Sequence, residues 1–205
     1  MPRPDGREAG LVTTCDAYRS ELQMRRALVI VDIQKDYFPG GTMELQGSIE
    51  ASEKAKVLLA AFREKALPVV HIQHISVRRG ATFFLPGTEG VKIHEHVQPR
   101  DREALFQKQY PNSFRETPLL DYLRENRITQ LVIGGMMTHM CIDATTRAAF
   151  DLGFECILAH DACATRTLSF GGIIVPAEHV HASFVSALHG VYAKAVATGD
   201  ICSTL

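Results

Sequence analysis

The sequence predicts an α/β protein of three layers, with helices on both faces of a central, mainly parallel, six-stranded sheet of Rossmann-like type. Three observations carry that expectation. Short runs of strand character alternate along the chain with segments whose apolar positions repeat at the helical period. Several of the strand runs are apolar throughout, as in ALVIVDI at residues 27–33, which is the pattern of strands buried on both faces. Repeated β-α units joined by right-handed crossovers leave few topologies other than a parallel sheet.

Residues 1–24 have mixed polarity and no steady period, so they are expected to form an arm ahead of a single domain at 25–205. The first strand, 27–33, runs into a turn-rich loop, KDYFPGGTM. Ser48 is expected to cap a helix that places Ala51, Ala55, Leu58, Leu59 and Phe62 on one face. Pro68 marks the restart as the second strand, PVVHIQHI, and a long aperiodic connection follows from Ser76 to Arg102. A connection of that length is more often functional than idle. ALFQK at 104–108 is the third strand. Thr117-Pro118 reads as an N-cap with proline at the first helical position, opening the helix TPLLDYLREN. Strand QLVIGG, helix THMCIDATTRAAFDLG closed by Gly153, strand FECILAH, helix AEHVHASFVSALHG and strand VYAKAVAT complete the chain.

Composition narrows the function. Lys+Arg 22 against Asp+Glu 23 gives a formal net charge of -1, with no block of like charge, so neither nucleic acid nor a membrane surface is an expected partner. No apolar run approaches a membrane span, and residues 1–24 lack the apolar core of a signal peptide, so a cytoplasmic location is expected. The five cysteines, Cys15, Cys141, Cys156, Cys163 and Cys202, are odd in number and contain no CxxC pair, which suggests reduced thiols rather than a disulfide framework. DIQKDYFPGG after the first strand lacks the GxGxxG pattern of a dinucleotide site.

In parallel α/β sheets ligands bind beyond the carboxyl ends of the strands. That rule gathers Asp32 at the end of the first strand, Lys108 at the end of the third and Cys141 just past the fourth. Cys141 opens a helix in GGMMTHMC, where the helix N-terminus and the Lys108 ammonium are expected to favour thiolate. Asp32 would take and return the proton, and the trio suits acyl transfer from an amide. Taken singly, each residue has an ordinary structural role open to it: a strand-end cap, a surface charge, a small buried thiol.

These motifs resemble the isochorismatase-like cysteine hydrolases, a family that includes nicotinamidases, N-carbamoylsarcosine amidases, ureidoacrylate hydrolases and streptothricin hydrolase. The resemblance spans about residues 26–197 and rests on LVIVDIQKDYF, the lysine before YPNSF, GGMMTHMC and HDACAT at 160–165. It implies an Asp32-Lys108-Cys141 triad working through a thioester. It also implies a cis peptide at Met136-Met137, and an oxyanion hole formed by the N–H groups of Met137 and Cys141. It further implies a homo-oligomer, for which the Ala-rich helix faces after Thr138 and Ala177 leave surface. Isochorismatases themselves lack the cysteine, so Cys141 argues for an amide, ureide or lactam. The metal-binding Asp-x-His of nicotinamidases is missing from HIQHISVRRG, and His139 stands where those enzymes carry an acid. An isochorismatase-type hydrolase of a non-amide substrate and a non-catalytic interaction module on the same fold are the alternatives.

The expected ligand is therefore a small molecule, with no cofactor and no metal. His71 and His74 point to opposite faces of a strand, and His94 and His96 supply two ligands where a site needs more. Cys163 reads as a small buried thiol. Tyr37, Phe38, His74, Phe84, Tyr110, Phe114 and His139 are the expected pocket residues, apolar walls with a few polar contacts.

Overall fold

The computed structural model describes residues 25–205, so the expected arm at 1–24, Cys15 included, lies outside the described residues. The central sheet has six strands, all parallel: β1 (Arg26–Val31), β2 (Val69–His74), β3 (Ala104–Lys108), β4 (Gln130–Met136), β5 (Glu155–Ala164) and a short C-terminal strand considered below. The helices are α1 (Ser48–Glu64), α2 (Leu119–Glu125), α3 (Asp143–Asp151), α4 (Ala177–Leu188) and α5 (Thr198–Ser203). Between β5 and α4 an antiparallel hairpin is formed by β6 (Leu168–Phe170) and β7 (Ile173–Val175), and β8 (Lys194–Val196) is the sixth strand of the main sheet.

The sheet order is β3-β2-β1-β4-β5-β8, so the chain first winds outward on one side of β1 and then returns to build the other side. Alternate side chains of β1 sort to two cores. Leu28 and Ile30 pack with Leu58, Leu59 and Phe62 of α1 and Ile201 of α5, whereas Ala27, Val29 and Val31 pack with Leu119, Leu123, Ala149 and Leu188 of the helices on the opposite face.

Local chemistry moved several boundaries. Gly47, at φ 73, precedes α1, and Ser48 is its first helical residue and makes no capping bond. Thr117 Oγ1 donates to Ser113 O at 2.6 Å and also accepts from Leu119 N at 3.4 Å, a capping contact, and α2 begins at Leu119, one residue after Pro118. The segment expected as one helix from Thr138 splits into a π-helical turn, Thr138–Ile142, followed by α3. The last strand shrinks to Lys194–Val196 because the chain turns into α5, which the sequence did not signal. The hairpin was also not anticipated: its strands are only three residues long, and Gly171 and Gly172, at φ 58 and 80, supply the reversal.

The long connection after β2 folds back against the carboxyl end of β1. Lys35 N donates to Lys92 O, Asp36 N to Gly90 O and His94 N to Ile33 O, at 3.0, 2.9 and 2.9 Å. Asp36 pins it from the other side. Its buried carboxylate accepts from Phe84 N at 2.6 Å and from the Thr42 hydroxyl at 2.8 Å, and a Cβ at Gly90 would overlap that carboxylate.

Candidate active site

The strand order reverses between β1 and β4, and the crevice at such a switch point is where a parallel sheet can receive a ligand. Asp32 follows β1 with φ 51, a left-handed conformation that Asp tolerates better than most residues. Its backbone is held by Asp32 N to Ile72 O and Gln34 N to Asp32 O, each 3.0 Å, so the carboxylate turns over the sheet's carboxyl edge. Gln34 ties the neighbouring strand in, donating to His74 O at 3.0 Å and accepting from His74 N at 2.7 Å.

β4 reaches the same point through Gly134-Gly135. Gly135 has φ 137, and a Cβ there would stand 1.9 Å from Val31 O, so only glycine lets β4 approach β1 this closely. The Met136-Met137 peptide is cis. The π turn then begins, with Met140 N at 3.0 Å and Ile142 N at 3.3 Å both donating to Met137 O. Cys141 lies within this turn, buried.

Lys108, the last residue of edge strand β3, closes the cluster. Its side chain is buried, and Nζ lies 2.5 Å from Asp32 Oδ2, 3.2 Å from Cys141 Sγ and 3.1 Å from His74 Nδ1. Burial disfavours the ammonium, but the charges of Asp32 and Cys141 outweigh it and raise its pKa. His74 is driven the other way, to about 4, by burial first and then by Lys108, so it faces the ammonium as a neutral ring. Cys141 is pushed far up, by burial and then by the Asp32 carboxylate, with Lys108 opposing. Opposed charges thus meet at the sulfur: the Asp32 carboxylate disfavours the thiolate and the Lys108 ammonium, 3.2 Å away, favours it.

One acceptor in this cluster is left over. Asp32 Oδ1 is buried without a hydrogen-bond partner among the described residues. A carboxylate oxygen of Asp32, a ring nitrogen of His74 and the Cys141 sulfur lie within 4.8 Å of one another, a spacing that would suit a metal ion. The Lys108 ammonium already bonds to all three residues, and a second cation among them would meet it directly.

The sulfur opens onto a cleft of about 370 Å³. Tyr37, Phe83, Met137 and Met140 give it apolar walls, and His74, Ser76, Arg78, Gln109 and Tyr110 supply polar edges. Burial, and then the charges of Cys141 and Asp32, hold the Tyr37 phenol well above its ordinary pKa, so it stays neutral. Four expected pocket residues lie elsewhere. Phe38 stacks on His94 at 3.7 Å, Phe84 is a core ring behind Tyr37 at 4.6 Å, and Phe114 stacks on Phe154 at 6.1 Å. His139 turns to Thr165, Nδ1 to Oγ1 2.6 Å. Phe83 and Arg78 also line the cleft; the sequence pointed to the stretch FFLPGTEG at 83–90 without separating Phe83 from Phe84, and nothing in SVRRG marked Arg78.

Two further histidines weighed as ligands are engaged elsewhere. His71 Nε2 meets Glu103 Oε2 at 2.8 Å, and His96 Nδ1 meets Ser52 Oγ at 2.8 Å. Cys156 and Cys163 are buried thiols, each raised to about 12 chiefly by burial.

Fold and cleft together define a doubly wound α/β protein whose candidate site lies at the switch point of its sheet. Residues 26–183 match the isochorismatase domain, and the chain belongs to the isochorismatase family, whose members are hydrolases. It is 50% identical over 175 residues to YddQ of Bacillus subtilis, an uncharacterized isochorismatase family protein, covering 85% of this chain and 97% of that one. The crystal structure described as an isochorismatase hydrolase from Oleispira antarctica superposes with a TM-score of 0.85 at 48% identity, over 88% of this chain and 97% of that one. Streptothricin hydrolase of Streptomyces noursei is 32% identical over 140 residues, 68% of this chain and 50% of that protein. Among the described residues no helix is long and apolar enough to cross a membrane.

Proposed function

We propose that the protein is a cysteine hydrolase that cleaves a C–N bond of a small amide, ureide or lactam through a thioester on Cys141. The observation that carries this is the buried contact of Lys108 Nζ with both Asp32 Oδ2 and Cys141 Sγ at the floor of the cleft. The names of relatives add weight, among them a maleamate amidohydrolase of Pseudomonas putida and a nicotinamidase of Escherichia coli.

In this mechanism Cys141 Sγ attacks the substrate carbonyl carbon as its proton passes to Asp32, whose free Oδ1 is available to receive it. The N–H groups of Met137 and Cys141 receive the oxyanion, where a single donor is typically worth about 2.7–4 kcal/mol. Lys108 holds Asp32 in place and offsets the charge that forms on sulfur. Collapse expels the amine, which takes the proton from Asp32 and leaves a thioester. Asp32 then deprotonates water, water attacks the thioester, and the product acid departs as the proton returns to sulfur.

Cys141→Ala is the test. Amine release should fall by at least a thousandfold while substrate still binds in calorimetry, and mass spectrometry should find a substrate-sized adduct only with Cys141 present. An alanine variant that keeps an appreciable fraction of the parent rate would leave direct water attack as the route and the thiol as packing.

A further inference from the structure

We infer that His74 is a positioning residue for the triad: a neutral imidazole, protonated on Nε2, whose Nδ1 is the third acceptor holding the Lys108 ammonium between Asp32 and Cys141. The inference rests on the cysteine-hydrolase function proposed above and adds a fourth side chain to it. An ammonium offers three protons and accepts none. Lys108 Nζ has three neighbours at hydrogen-bond distance, Asp32 Oδ2 at 2.5 Å, His74 Nδ1 at 3.1 Å and Cys141 Sγ at 3.2 Å, so each proton meets one acceptor. A nitrogen that accepts from the ammonium must carry a lone pair, and the neutral ring then carries its proton on Nε2.

The backbone makes this contact a property of the fold. β2 and β3 run parallel with His74 opposite Lys108 in register, so both side chains leave the same face of the sheet at its carboxyl end. Ile75 N donates to Lys108 O at 2.9 Å just past that pair. From the β1 side, buried Gln34 bonds both backbone groups of His74, and its Nε2 also donates to Val91 O at 2.7 Å, which anchors it in the long connection. The strand end that carries the ring is thereby held from two directions. His74 Nε2 has no hydrogen-bond partner among the described residues and is not a buried orphan, so this edge of the ring opens to the cleft that His74 borders.

A lysine ends in a compact charge on a flexible stem, and its ammonium turns freely among whatever acceptors surround it. With Asp32 and the sulfur as its acceptors, the third proton would draw the ammonium toward another oxygen and away from Sγ. Nδ1 removes that freedom. Because the ring is neutral it holds the ammonium without adding a second negative charge beside the sulfur, as a carboxylate in its place would. A charged ring would instead face the ammonium at 3.1 Å, and burial first, then the Lys108 charge, keep His74 from taking up a proton.

The test is a double-mutant cycle read by iodoacetamide labelling of the Cys141 peptide at neutral pH, which needs no turnover. His74→Phe keeps a ring and removes the acceptor, and it should slow labelling roughly 10-fold. His74→Asn, whose Oδ1 stands near the place of Nδ1, should recover most of that rate. In a Lys108→Met background His74→Phe should change nothing further. A phenyl ring that merely crowds the cleft would slow both backgrounds alike, and that additive result overturns the inference. A His74→Phe protein that labels as fast as the parent also overturns it, and an asparagine variant no faster than the phenylalanine one counts against it. Nitrogen NMR of the histidine-labelled parent at neutral pH should show the Nε2–H tautomer in the ring signal that His74→Asn deletes, and an Nδ1–H tautomer or an imidazolium there refutes the assignment. A coupled cycle beside a Cys141→Ala protein that still releases amine keeps the positioning role and removes the thioester route. An additive cycle beside an inactive Cys141→Ala protein does the reverse.

Discussion

Asp32→Asn should make Cys141 more reactive toward a simple alkylating agent while stopping amide hydrolysis. Asp32 raises the Cys141 pKa by its charge, and its carboxylate lies within 4.8 Å of the sulfur. At that separation the interaction is about 3.5 kcal/mol at an effective dielectric of ~20. Removing it increases the thiolate fraction roughly 300-fold, but a thiolate of lower pKa is also a weaker nucleophile, with a slope of about 0.4–0.5. The net gain in alkylation rate is on the order of 10- to 30-fold. The assay is iodoacetamide labelling at neutral pH, quantified on the Cys141 peptide, beside amine release from a turned-over amide. Lys108→Met supplies the opposite sign, because Lys108 lowers the Cys141 pKa and its loss should slow labelling. An Asp32→Asn protein that labels no faster than the parent would refute the effect of the Asp32 charge on the sulfur, and one that still hydrolyses amide would refute Asp32 as the base.

Further outcomes are expected. Gly135→Ala should lower the urea midpoint by an amount equivalent to roughly 2–6 kcal/mol, because the new Cβ would meet Val31 O at 1.9 Å on a backbone of φ 137; an unchanged midpoint would contradict the close approach of β1 and β4. With His74 lowered to about 4, it is neutral at physiological pH and becomes charged only in acid, so kcat/KM should show no inflection near 6.5 that His74→Gln removes. Self-association should run through the hairpin, where Phe170, Ile173 and Ile174 are 90%, 68% and 71% exposed, rather than through the Ala-rich helix faces expected from sequence. Light scattering should give a species larger than the 22.7 kDa chain, and Phe170→Ser with Ile174→Ser should reduce it to monomer. A parent protein that is monomeric at micromolar concentration would sink this expectation.

The sequence by itself determined the order of the main strands and helices, the β6–β7 hairpin and α5 apart, because burial on both faces writes a continuous apolar run into β1 and β4 and a helical period into α1. It also placed Asp32, Lys108 and Cys141 at strand ends, since a strand's carboxyl end is a local property of the chain. Tertiary structure decided how the three act on one another. The Cys141 pKa depends on burial and on a carboxylate 109 positions away in sequence, and the Asp32–Lys108 bond spans 76, separations across which local patterns carry no signal. The same holds for the pocket. Phe83 faces the cleft and Phe84 the core because Phe84 N is bound by Asp36, a contact between distant loops that the adjacent pair FF could not reveal. Side-chain facing in an aperiodic loop is fixed by what the loop lies against, and only the folded chain supplies that surface.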